Sequence, residues 1–209
     1  MIIKKAEFIT SAARAEQFIT PQKPMIAVCG KSNVGKSSLI NMLANNKKLA
    51  KTGSTPGRTR LVNYFDFGEF VLADLPGYGY AEVSKSEKAK WAKTLDEFFK
   101  EGREKITHVL VLIDIRHGAT EDDMQLLNML NYYILPFTVI FTKADKLSRM
   151  QMNNHAKQIA DSMTLTKANT VITSSEKRIG KEELLDRIEQ VIRVYDENRG
   201  QEEENDDDV

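Results

Sequence analysis

The chain has 209 residues, 41% hydrophobic and 29% charged, which suffices for one core of ordinary size and is too polar for a membrane protein. No apolar run approaches the roughly 18 residues of a spanning helix, and the start Met1-Ile2-Ile3-Lys4-Lys5 leads to Glu7 without a secretory signal. Thirty bases balance thirty acids, but six of the acids lie in Gln201–Val209, leaving a mildly basic body compatible with an RNA partner. The lone Cys29 can form no internal disulfide and ends an apolar run, so it reads as a small core residue in a cytoplasmic protein.

Residues 1–24 read as a short N-terminal appendage, with a helical turn or two around Ser11–Phe18 stopped by Pro21 and Pro24. Met25–Cys29 reads as a strand and Ser37–Asn46 as a helix. Between them Gly30-Lys31-Ser32-Asn33-Val34-Gly35-Lys36-Ser37 fits G-x-x-x-x-G-K-[ST] in the strand–loop–helix context that gives the pattern meaning. Gly30 and Gly35 let the backbone curl so that successive N–H groups face phosphate oxygens, and the helix N-terminus adds its positive end. Lys36 is then placed for the β- and γ-phosphates and the Ser37 hydroxyl for Mg2+.

Lys47–Arg60 holds five bases and no acid, and its Thr55-Pro56-Gly57-Arg58-Thr59 predicts a loop able to bring a hydroxyl to Mg2+ only while a γ-phosphate is present. Thr59 is the better candidate and Thr55 the second. Leu61–Phe67 and Phe70–Leu75 are strands split only by Gly68-Glu69, hence an antiparallel hairpin. Asp74-Leu75-Pro76-Gly77 ends the second of them, with Asp74 set to hold a Mg2+-bound water and Gly77 to offer its N–H to the γ-phosphate.

A helix over Ser86–Lys100 spaces Trp91, Leu95, Phe98 and Phe99 for packing on the sheet, and its Lys85, Lys88, Lys90 and Lys93 are candidates for RNA contact. Ile106–Asp114 is a strand closed by Asp114-Ile115-Arg116-His117, read as a hydrogen-bonded corner rather than a catalytic histidine. Helices follow at Glu121–Tyr133, Ser148–Met163 and Lys181–Asn198, and strands at Phe137–Phe141 and Thr170–Ile172.

Thr142-Lys143-Ala144-Asp145 decides the base. A carboxylate accepts from the two adjacent N–H donors on guanine's Watson–Crick edge, where adenine presents an acceptor, and the Lys143 stem can lie along the purine face. Ser174-Ser175 then supplies a turn whose backbone N–H suits the guanine oxygen, with Thr173 before it counted among the nucleotide-binding residues. The alternation predicts an α/β P-loop GTPase (Ras-like) domain over 25–198, a mixed six-stranded, mostly parallel sheet with helices on both faces, followed by a disordered acidic tail over 199–209.

Together these stretches resemble the YihA/EngB/YsxC family within the Era-like (TrmE–Era–EngA–EngB–septin) GTPases. The resemblance rests on G-K-S-N-V-G-K-S (30–37), T-P-G-R-T (55–59), D-L-P-G-Y-G-Y-A (74–81), S-K (84–85), D-x-R-H (114–117), T-K-A-D-K (142–146) and S-S (174–175). It implies a cytoplasmic, monomeric GTP/GDP-binding GTPase that assists assembly of the large ribosomal subunit, through its rRNA and proteins, and supports cell division and septation. It further implies Ser37 and Thr59 as Mg2+ ligands, and Thr142, Lys143, Asp145 and Ser174–Glu176 as base contacts. Tyr78 stands where many GTPases carry the Gln that orients water, which predicts slow intrinsic hydrolysis. Asn33 resembles the residue that helps relatives bind K+, so K+ or the partner is expected to complete the site. A septin-like assembly protein and, further off, a P-loop nucleoside kinase are the competing readings.

Overall fold

A computed structural model of the chain describes residues 1–51, 61–79 and 85–206. Its strands are β1 (Glu7–Ala12), β2 (Met25–Gly30), β3 (Val62–Asp66), β4 (Val71–Asp74), β5 (Ile106–Asp114), β6 (Phe137–Thr142) and β7 (Thr170–Ile172). The helices are α1 (Lys36–Leu43), α2 (Lys85–Gly102), α3 (Glu121–Tyr132), α4 (Arg149–Ser162) and α5 (Lys181–Asp206). One sheet runs β1-β3-β4-β2-β5-β6-β7. The pairs β2–β4, β2–β5, β5–β6 and β6–β7 are parallel, whereas β3–β4 forms the expected antiparallel hairpin.

The sheet has seven strands rather than six, because Glu7–Ala12 is not part of a separate appendage but an edge strand antiparallel to β3. Ser11 Oγ donates to Asn63 Oδ1 at 2.7 Å, and the Phe8 ring meets Phe65 edge-on at 5.8 Å. The expected helical turn shrinks to a 3-10 turn at Ala15–Gln17. At the other end the backbone of α5 is helical through Asp206, where composition predicts disorder from residue 199. Glu and Gln are among the better helix formers, so this polar segment can extend a helix already anchored in the core.

Helix placement follows from two apolar faces. Leu95, Phe98 and Phe99 of α2, Leu126, Leu127 and Leu130 of α3 and Ile159 of α4 pack on one side of the sheet. Leu39, Ile40 and Leu43 of α1 and Leu184, Leu185, Ile188 and Ile192 of α5 cover the other. Burying one such side chain is worth about 1.5–3 kcal/mol, whereas an exposed pair such as Lys93–Glu97 contributes at most about 1 kcal/mol, so the apolar stripe fixes α2. Both α3 and α4 start in capping boxes, Thr120 with Asp123 and Ser148 with Gln151. Behind α1, the buried Asn41 amide donates to Lys47 and Ala50 carbonyls and accepts from Ala50 N, fixing the first part of the basic segment. Its remainder, with Thr55, Gly57, Arg58 and Thr59, lies outside the described residues.

His108 on β5 is 9% exposed and paired with Thr138 Oγ1 at 2.9 Å. Burial, helped by the Arg187 charge, pushes its imidazole down to about 4. The unfolded chain therefore binds a proton below about 6.5 that the folded chain refuses until about pH 4. Stability from this group is complete above pH 6.5 and falls as pH drops towards 4, by about 3 kcal/mol in all. His108→Gln should flatten that decline in urea unfolding measured from pH 7 to 4.5. Parallel pH profiles for the two proteins would remove His108 as its source.

Candidate functional site

The carboxyl ends of β2, β4, β5 and β6 open onto one crevice, with β2 at the point where the chain crosses to either side. The phosphate-loop sequence leaves β2 there. Gly35 has φ +116°, a region that favours glycine, and Asn33 sits at φ +61°. Gly30 is closed for a different reason: a Cβ would stand 2.9 Å from Leu112 O and from the Val34 side chain. The loop is braced from within by Val34 N donating to Lys31 O, and Lys36 Nζ lies 3.4 Å from Gly30 O.

Asp74, Leu75, Pro76 and Gly77 carry β4 to the same loop. Ser32 N donates to Tyr78 O at 2.7 Å, and Lys31 and Tyr78 form an isolated parallel bridge. A Cβ on Gly77 would meet Lys36 Nζ at 2.9 Å and Ser32 Oγ at 3.0 Å, so this peptide lies directly against the ends of both side chains and any residue but glycine would have to displace them. Two polar atoms here are buried without a partner among the described residues, Ser32 Oγ and Asp74 Oδ1. Burial pushes Asp74 up to about 6, against the pull of Lys36 and a hydrogen bond from Asn63. A buried acceptor in that condition calls for a partner that the described residues do not supply.

Tyr78 points away from the crevice. Its ring is 3% exposed and tilts against Trp91 at 4.8 Å, and its hydroxyl donates to Asp123 at 2.5 Å. Burial, and next the Asp123 carboxylate, push the phenol well above its usual range, so it remains a donor. The sequence marked Tyr78 as a missing water-orienting group but gave no sign of this inward bond.

From β6 the Thr142 hydroxyl, fully buried, lies 2.8 Å from Val34 O and 3.2 Å from Ile113 O. Lys143, at φ +61°, donates to Asn33 O at 2.7 Å and pairs with Asp114 at 3.0 Å. Its stem thus crosses from the T-K-A-D segment to the phosphate loop. Burial opposes the Asp114 charge, but hydrogen bonds from Arg116 and Lys143 outweigh it and hold the carboxyl well below the usual range. Ala144 N donates to Thr173 O, tying the two base-side segments together. His117 is exposed, in the turn where its backbone N–H bonds Asp114 O.

Asp145 presents its carboxylate beside the β7 turn, with Oδ1 accepting from Ser174 Oγ at 2.5 Å and Oδ2 paired with Lys146 at 2.9 Å. Partial burial works against the charge, yet these bonds hold the acid below its ordinary value. One expectation needs correcting. The Ser174 backbone N–H is already given to Ile179 O at 3.1 Å, so Ser174 meets Asp145 through its hydroxyl instead. Lys177 N also donates to Ser174 Oγ, locking that hydroxyl's direction. Cys29 is buried beneath the loop as expected, and burial raises its thiol far above the range of a nucleophile.

Residues 25–143 match the family model described as "50S ribosome-binding GTPase". The chain is 45% identical over 197 residues to the probable GTP-binding protein EngB of Clostridium kluyveri, covering 93% of this chain and all of that one. It is 47% identical over 190 residues to the Pelotomaculum thermopropionicum protein of the same name, covering 90% and 96%. Among solved structures, a probable GTP-binding protein engB superposes with a TM-score of 0.69 at 23% identity over 81% of this chain and 98% of that one. Era in complex with MgGDPNP and a 16S ribosomal RNA segment gives 0.61 at 25% identity, over 81% and 56%. With a phosphate loop, a D-x-P-G peptide and a T-K-A-D carboxylate converging on one crevice, the chain belongs to the EngB family of GTP-binding proteins, P-loop GTPases that hydrolyse GTP.

Proposed function

We propose that this GTPase is a Mg2+-dependent switch that assists assembly of the large ribosomal subunit. The observation that carries the switch reading is the seat of Gly77 against Lys36 Nζ, which sets that peptide and the loop lysine around one point. A γ-phosphate at that point would take the Lys36 charge and the Gly77 N–H together, whereas GDP would keep its β-phosphate on Lys36 and leave the Gly77 N–H unmet. Gly30–Ser37 would cradle the phosphates with backbone N–H groups, while Asp74, Leu75 and Pro76 deliver Gly77.

The donor set also suits a hard divalent cation: the Ser37 hydroxyl at the first turn of α1, and the orphaned Asp74 Oδ1 placed to hold a cation-bound water. Thr59, with Gly57 and Arg58 before it, would complete the set from the segment outside the described residues. Bound Mg2+ would neutralise charge building on the β- and γ-phosphates. The chain's own part is to align the triphosphate for in-line attack by water, with Tyr78 turned inward and no side chain of the D-x-P-G peptide left to orient that water. Hydrolysis by the isolated chain is accordingly slow, and K+ near Asn33 or the bound partner raises it. Turnover should be faster in KCl than in NaCl at equal ionic strength; equal rates would exclude the cation.

Asp145 reads the guanine edge, with Ser174 holding it and the Ser175 N–H facing the guanine oxygen, while Thr142, Lys143, Ala144 and Thr173 frame the base. Asp145→Asn exchanges an acceptor for a donor and should shift preference from GTP towards XTP in competition binding. Undiminished GTP selectivity would refute the assignment.

The large-subunit role is supported by the description of the matching family model; the 16S RNA bound to Era supports ribosomal RNA as a partner class only, and the mildly basic body fits that. A cytoplasmic monomer needed for cell division and septation rests on the family resemblance. The expected behaviour is nucleotide-dependent co-sedimentation with large ribosomal subunits, stronger with a non-hydrolysable GTP analogue than with GDP. Indifference to nucleotide, with self-association instead, would favour a septin-like assembly protein.

A further inference from the structure

The bond from Tyr78 to Asp123 has no part in holding nucleotide, yet it joins the residue after Gly77 to the start of a different helix. Both partners are 3% exposed, and both carboxylate oxygens of Asp123 are occupied. Oδ1 accepts the Tyr78 hydroxyl at 2.5 Å, and Oδ2 accepts Thr120 N and Thr120 Oγ1, each at 2.7 Å. Thr120 is the N-cap of α3 and follows the turn that closes β5. On the crevice side Tyr78 O receives Ser32 N from the phosphate loop, and Trp91 Nε1 of α2 donates to Pro76 O at 3.1 Å.

The peptide that meets a γ-phosphate is therefore clamped to the loop by its main chain and to α3 by its side chain. A buried carboxylate that loses its donor keeps the full desolvation penalty, while water cannot replace the lost bond. Gly77 cannot move far from its present seat while the first turn of α3 stays behind. We propose that Tyr78 and Asp123 are positioning residues, a buried link that seats Gly77 against Lys36 and makes the N-terminal turn of α3 follow the nucleotide. The proposal rests on the switch reading above. It adds the route by which that reading reaches the far side of Gly77.

Hydrogen exchange by mass spectrometry on the full chain, with GDP and with a non-hydrolysable GTP analogue, tests it. The wild-type protein should show nucleotide-dependent exchange both at residues 74–79 and at residues 117–125. Tyr78→Phe should abolish the difference at 117–125 and keep that at the phosphate loop. Asp123→Ala breaks the same link from its other end and should give the same loss, so the test survives if one variant does not fold. Thr120→Ala removes the hydroxyl's bonds with Asp123 but leaves Tyr78 on Asp123 Oδ1; it should speed exchange in α3 equally with both nucleotides and preserve the difference, whereas a role of Tyr78 in stability alone would make Tyr78→Phe behave the same way. A difference at 117–125 that persists in Tyr78→Phe or Asp123→Ala overturns the link while the switch stands. A wild-type protein indifferent to nucleotide at 74–79 removes the switch and the link with it.

Discussion

A loop that binds phosphate with its backbone must keep its N–H groups pointing inward without using them on itself. That requirement shapes much of this structure. Between β2 and α1 the loop has one internal turn bond, Val34 N to Lys31 O, and the rest of its geometry is held from outside by groups that bind its carbonyls and the Ser32 N–H. Thr142 reaches Val34 O, Lys143 reaches Asn33 O, and Tyr78 O takes Ser32 N. The two donors come from the end of β6 and the acceptor from the segment after β4, and both strand ends also carry a residue for another part of the ligand. The parallel sheet is what brings those ends to one rim.

Electrostatics explain why the same site is costly to the empty protein. Among the described residues Asp74 is buried with an unpartnered oxygen and is pushed up to about 6, and Ser32 Oγ likewise has no partner. Such groups lower stability unless something bound satisfies them. Asp114 and Asp145 differ: each is surrounded by donors and stays charged well below neutral pH. The acids on the base side are pre-set, whereas the acid on the cation side is left open.

Much of this was legible in the sequence, because the phosphate loop, D-x-P-G and T-K-A-D are local patterns tied to strand ends. Strand and helix positions for β2 to β7 and α1 to α4 fall within a few residues of expectation, since their apolar spacing is strong. What was not legible depends on distant partners. Glu7–Ala12 is short, half exposed and weakly patterned, and only pairing with Val62–Asp66 makes it a strand. Ser174 reads as a backbone donor until Ile179, five residues on, claims its N–H. Tyr78 looks like a gap in the catalytic pattern, because nothing nearby announces that Asp123 waits for its hydroxyl. Helical extension through Asp206 runs against a composition that predicts disorder.

The edge strand has a bearing on how the chain is made. Glu7–Ala12 is synthesised early, but its partner β3 begins at Val62, and β3 in turn pairs with β4 from Val71. During synthesis the first strand must therefore wait, with Phe8 and Ile9 side chains that remain partly exposed even in the finished sheet. Non-local pairing of this kind is slow to form, because the intervening loop must close first. The central pair β2–β5 spans a still longer stretch of chain, so the edge is not alone in waiting. What β1 adds is cover: paired to β3, it occupies backbone groups that would otherwise form an open edge for a wrong neighbour.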